Sequence, residues 1–173
     1  ALGDDLLRRG EYAKAIDALS RAVELRRANF AARSRQKIPA QTLENSETLL
    51  IAVLVELARA YKLSGRLNDA EEQYSETLKH LGAGGTRSIY RQEVYLGLGE
   101  VYRFQKKSSL AFENFEKALS LAEIEHRPEV IHSASVNIAL LLIQEGKAAD
   151  AIPHFQNAIR QTESTRSMLQ TEE

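Results

Sequence analysis

The sequence predicts an all-α fold, a right-handed α-solenoid of four helical hairpins, and three observations carry that prediction. Ala, Leu, Glu, Lys, Arg and Gln dominate the periodic segments, while alternating Val/Thr-rich runs are scarce and prolines number three. Four stretches align without gaps: LGDDLLRRGEYAKAIDALSRAV (2–23), LARAYKLSGRLNDAEEQYSETL (57–78), LGEVYRFQKKSSLAFENFEKAL (98–119) and IALLLIQEGKAADAIPHFQNAI (138–159). Within them, three columns hold small residues: Gly3, Ala58, Gly99, Ala139; Ala15, Ala70, Ala111, Ala151; and Ala22, Thr77, Ala118, Ala158. Eleven of these twelve are Ala or Gly, although the two types make up 32 of the 173 residues, so the columns are not a product of composition.

Each stretch reads as helix, turn, helix. Two antiparallel helices approach to the lower end of the usual ~8–10 Å spacing only where facing side chains are small. Large side chains then fill the gaps between hairpins: Leu6, Tyr61, Tyr102 and Leu142 on the first helices, and Leu19, Tyr74, Phe115 and Phe155 on the second. Gly10, Gly65 and Gly146 end the first helices in the left-handed conformation, which costs a residue with a Cβ roughly 1 kcal/mol. Lys106 stands in that column in the third hairpin, so either a strained cap or a different turn is expected there. Asn45 or Ser46 is expected to cap the long helix ending near Ser64, and Ser108 the helix running to about Glu125. Gly82 to Thr86 reads as a linker, and Pro153, near the start of the last helix, as a tolerated structural proline. The expected organisation is one domain over 1–161, with repeats at about 1–26, 46–82, 88–125 and 128–161, a basic insertion at 26–45, and a polar tail or partial cap at 162–173.

The column pattern resembles that of the tetratricopeptide repeat family, whose first helix carries a large-x2-large-small-x2-Tyr pattern and whose second carries Ala-x3-Phe-x2-Ala. The copies are spaced 55, 41 and 40 residues apart rather than ~34, and the fourth, with Pro128 and Pro153, is similar to the longer repeats of kinesin light chains. The resemblance implies a protein-interaction adaptor that binds a peptide or helix on a concave surface lined by the first helices. At 100° per residue that surface takes Ala52, Val55, Glu56, Arg59, Lys62 and Leu63 from the second hairpin. The third contributes Glu93, Leu96, Gly97, Glu100, Arg103 and Phe104, and the fourth Ser133, Val136, Asn137, Leu140, Ile143 and Gln144. Val55, Leu96, Val136 and Leu140 form the expected apolar floor. Asn137 stands where many repeats of the family hold ligand main chain, and Arg59, Lys62 and Arg103 pair with Glu56, Glu93 and Glu100 or meet acidic ligand groups. The carboxylate clamp of the family's chaperone-tail subgroup is ruled out, because the matching positions carry Val55 and Gly97.

Composition narrows the other classes. With 23 Lys and Arg against 24 Asp and Glu, the net charge of −1 exerts no global pull on nucleic acid or anionic membrane. The local exception is RRANFAARSRQKIPAQ (26–41): if its helix runs to about Gln36, then Arg26, Arg33 and Lys37 share one line and could grip nucleic acid or an acidic partner. A solvated helix face is the plainer reading of the same charges, since Phe30 is the one aromatic available for stacking. No cysteine is present, which excludes disulfides, thiol nucleophiles and Cys-type zinc sites and fits a reducing, cytoplasmic setting. The longest strongly apolar run, Leu49 to Leu57, is far short of the ~20 residues of a membrane span. His80, His126, His132 and His154 lack tight metal-ligand spacing, GAGGTRS lacks the end of a phosphate loop, and no metal, cofactor or catalytic set is expected. The chain reads as a piece of a larger protein, and self-assembly through its ends is a further possibility.

Overall fold

Every hairpin turn closes through the same pair of backbone hydrogen bonds. In the first, Gly10 N–H donates to the Leu7 carbonyl (3.1 Å) and Glu11 N–H to the Leu6 carbonyl (2.9 Å), the two-bond closure that satisfies the last carbonyls of a helix. Arg66 to Tyr61 (2.9 Å), Lys107 to Tyr102 (2.8 Å) and Lys147 to Leu142 (2.8 Å) repeat the longer bond in the other three. Gly10, Gly65 and Gly146 have φ between 73° and 79°, and Lys106 takes φ 61° in the same turn, so the expected alternative resolves to a strained cap with unchanged geometry. The turn between the third and fourth hairpins uses the closure as well, with His126 at φ 53° and Arg127 N–H on the Ala122 carbonyl (2.9 Å).

The structure, a computed structural model, describes residues 2–81 and 88–170. Among them are eight α-helices and no strand: α1 (Leu2–Arg8), α2 (Tyr12–Ser34), α3 (Ala40–Leu63), α4 (Leu67–Leu81), α5 (Ser88–Phe104), α6 (Ser108–Ile124), α7 (Pro128–Gln144) and α8 (Ala148–Gln170). They pair as the four expected hairpins. Eleven of the twelve small-column residues are buried, and Ala22 is half-buried. The expected linker at 82–86 lies outside the described residues.

The chain divides into two compact units, residues 1–90 and 91–173. In the first, Leu7, Ala15, Leu19 and Val23 of α1 and α2 pack with Leu50, Leu54, Leu57 and Ala60 of α3. In the second, Ala111, Phe115, Ala118, Leu119 and Ala122 of α6 pack with Ile131, Ala134, Ile138 and Leu141 of α7, and Tyr95, Leu96 and Tyr102 of α5 lie against the same cluster.

Three helix boundaries differ from expectation. Neither Asn45 nor Ser46 begins α3, which starts at Ala40 behind Pro39 (φ −57°, ψ 140°). A proline has no N–H to leave unsatisfied there, and its fixed φ suits the entry to a helix. Ser46 instead sits buried inside α3, its hydroxyl donating to the Thr42 carbonyl (2.9 Å). Lys107 rather than Ser108 is the cap of α6, and it makes no side-chain capping bond. Of the expected tail at 162–173, residues 162–170 continue α8 as helix, and the rest lies outside the described residues.

Candidate partner-binding face

α7 is apolar on two sides. One side, Ile131, Ala134, Ile138 and Leu141, is buried against α6. Val136, Leu140 and Ile143 line up on another side at spacings of four and three residues, and this side is open: Val136 is half-buried, while Leu140 is 38% and Ile143 46% exposed. A helix apolar around most of its circumference ordinarily has both sides covered, and this one presents more apolar surface than the described residues cover. Asn137 borders the stripe but is nearly buried, and its Nδ2 donates to the Ser133 carbonyl one turn back (2.9 Å). Its amide donor is therefore engaged within α7.

The matching side of α5 is polar. Leu96 packs toward the core, and Glu100 and Arg103 are half-buried one turn apart. The Arg103 guanidinium lies over the exposed Phe104 ring (4.8 Å to the centroid), and its buried Nε has no hydrogen-bond partner among the described residues. On α3, Val55 departs from expectation. It is 2% exposed and cannot belong to an open floor. Arg59 pairs with Glu56 (2.8 Å), as the spacing of three suggests, and Lys62 is half-buried nearby on the same helix.

The basic segment is organised differently from the expected stripe. α2 ends at Ser34, so Lys37 lies beyond the helix and out of line with Arg26 and Arg33. Arg33 donates to Ser46 Oγ (2.9 Å), and Arg27 makes a two-pronged contact with the Glu76 carboxylate of α4, one arm Nε to Oε1 at 3.1 Å. Arg26 remains exposed. Two of the segment's cations thus tie helices together.

Two histidines also have interior partners. His80 Nδ1 lies 3.3 Å from Glu47 Oε1 with its ring edge-on to Phe30, and His132 Nδ1 lies 3.1 Å from the Ala158 carbonyl. Lys14 and Lys147 have pKa values raised by hydrogen bonds to Glu11 and Glu145, on exposed hairpin turns. The sequence reading missed Gln92. Its side chain is fully buried, with Nε2 donating to Glu125 Oε2 (2.7 Å). The only available signal was a polar residue in the column that holds Ile51 and His132, too varied to read.

The tetratricopeptide repeat family model matches residues 49–124, the segment spanning α3 to α6. That segment is similar to tetratricopeptide repeats. Among solved structures, the chain is similar to BtubC (BKLC) from P. vanneervenii, with a TM-score of 0.68 and 20% identity over 88% of this chain and 57% of that one. It is also similar to MamA (TM-score 0.57, 18% identity, 96% of this chain and 98% of that). Aspartyl phosphate phosphatase F from Bacillus subtilis is a third (0.65, 18%, 94% and 46%). The chain thus spans little more than half the length of BtubC and less than half of the phosphatase. At these identities the likeness is one of fold. No curated protein matches the sequence. No helix among the described residues is long and apolar enough to cross a membrane.

Proposed function

We propose that this tetratricopeptide chain is a non-catalytic interaction scaffold whose second unit docks an apolar segment of a partner protein on the open side of α7. The reading rests on one observation: Leu140 and Ile143 stand exposed in line with Val136 on a helix whose other side is already packed. Covering such a stripe releases water at about 25 cal/mol per Å² of apolar area. Glu100 and Arg103 on α5 and the free carbonyl end of the Asn137 amide would orient the segment at the polar edge, with Leu96 beneath. A bound helix or extended peptide fits the apolar-centre, polar-edge arrangement common to such sites.

The test substitutes exposed positions only. Leu140→Glu with Ile143→Lys is expected to remove partner proteins that the unaltered chain captures from a lysate, with unchanged helicity by circular dichroism. An identical captured set from both proteins would place the interaction elsewhere.

A further inference from the structure

The last turn of α6, the first turn of α7 and the side of α8 that carries Gln161 and Ser164 form a cleft of about 460 Å³, within the ~300–1,000 Å³ range of small-ligand sites. At 100° per residue Ile131 points away from Val136, Leu140 and Ile143, so the cleft is separate from the partner face of α7. Its floor is apolar, with Pro128 half-buried and Ile131 6% exposed. Its rim is polar. Glu123 stands in the last turn of α6 and His126 three residues on, held at φ 53° in the connecting turn, while Gln161 and Ser164, also three apart, share a side of α8. Glu123, His126 and Ser164 make no side-chain bond among the described residues. Gln161 donates from Nε2 to Asn157 Oδ1 (3.4 Å), which leaves its Oε1 as an acceptor. No Lys or Arg among the described residues lines the cleft. The opening follows from the repeat register: Leu121 and Ile124 of α6 occupy the columns of Gln161 and Ser164. A complete hairpin follows α6, yet Leu121 is only half-buried and Ile124 is 73% exposed. A following hairpin therefore leaves these columns open, and α8 differs from α6 in making them polar.

We propose that this cleft binds a primary ammonium group on an apolar stem, either the lysine side chain of a peptide or a free alkylamine. The rim decides the sign of the ligand. It offers one carboxylate, an amide oxygen and a hydroxyl with no fixed cation beside them, so an anion would meet Glu123 unopposed. An ammonium carries three N–H donors and no acceptor, which matches the Glu123 carboxylate, Gln161 Oε1 and Ser164 Oγ. The bond to Glu123 is charge-assisted and the strongest of the three. The hydrocarbon stem lies along Pro128 and Ile131, and His126 closes the side.

The test follows the backbone amides of the isotope-labelled 173-residue chain by NMR during titration with n-butylamine, N-acetyl-lysine methylamide and butyrate. Saturable shifts centred on His126, Gln161 and Ser164 are expected with both amines and not with butyrate. Tighter binding of the lysine derivative supports a peptide source, and tighter binding of butylamine a free amine. Glu123→Gln, an isosteric change at an exposed position, is expected to weaken both amines at least threefold, and Ser164→Ala to weaken them less. Leu140→Glu is expected to leave them unchanged, which separates this site from the α7 face. Absence of saturable shifts, equal binding of butyrate, or affinity indifferent to Glu123→Gln overturns the proposal.

Discussion

Lys106 holds a left-handed backbone in a turn where the other three hairpins place glycine. A side chain there crowds the following carbonyl, so Lys106→Gly is expected to raise stability by up to about 1 kcal/mol, and Gly65→Ala to lower it by about the same amount. Urea denaturation followed at 222 nm measures both. Close approach, rather than φ, governs Gly99: a Cβ built there would lie 2.5 Å from the Phe115 ring. Because Phe115 is fully buried and cannot swing away, Gly99→Ala is expected to cost about 1–3 kcal/mol. An unchanged denaturation midpoint would mean that the α5 to α6 contact has slack. These positions were legible in the sequence, since columns of glycine and alanine report helix contacts through residue size alone. Gln92 was not legible, because a single buried amide leaves no periodic trace.

At the scale of elements, the basic run in α2 shows what charge pattern does and does not say. The excess of Arg was plain in the sequence, but its destination depended on α4, 49 residues away, where Glu76 receives Arg27. A two-pronged guanidinium–carboxylate pair outperforms an ordinary surface pair, though both side chains retain water contact. A double-mutant cycle with Arg27→Ala and Glu76→Ala is expected to give a coupling of roughly 0.5–1 kcal/mol that shrinks in 1 M NaCl. Zero coupling at low salt would show that the contact does not brace α2. The start of α3 was misread for a related reason: Asn45 and Ser46 satisfy the local rule for a cap, while Pro39 and the burial of Ser46 against Arg33 carry the helix further back.

Across the whole molecule, the two cores are built from different helices, α1 to α3 in one unit and α5 to α7 in the other. Ile138 is fully buried in the second, and Ile138→Ala is expected to cost about 2–5 kcal/mol. In a repeat fold with nearest-neighbour contacts, hydrogen exchange should accelerate in α6, α7 and α8 while the most protected amides of α2 and α3 keep their rates. Uniform acceleration through both units would show one cooperative fold. The sequence by itself determined the helical class, the four hairpins, their turns and the small residues at their seams, because those follow from a 3.6-residue period and from side-chain size within one chain segment. Only the tertiary structure decided which apolar sides remain uncovered. It buried Val55, engaged the Asn137 amide donor within α7, drew Arg27 to Glu76, and left Leu140, Ile143 and Ile159 in water. Cover is supplied by helices distant in sequence, and a local period carries no record of them.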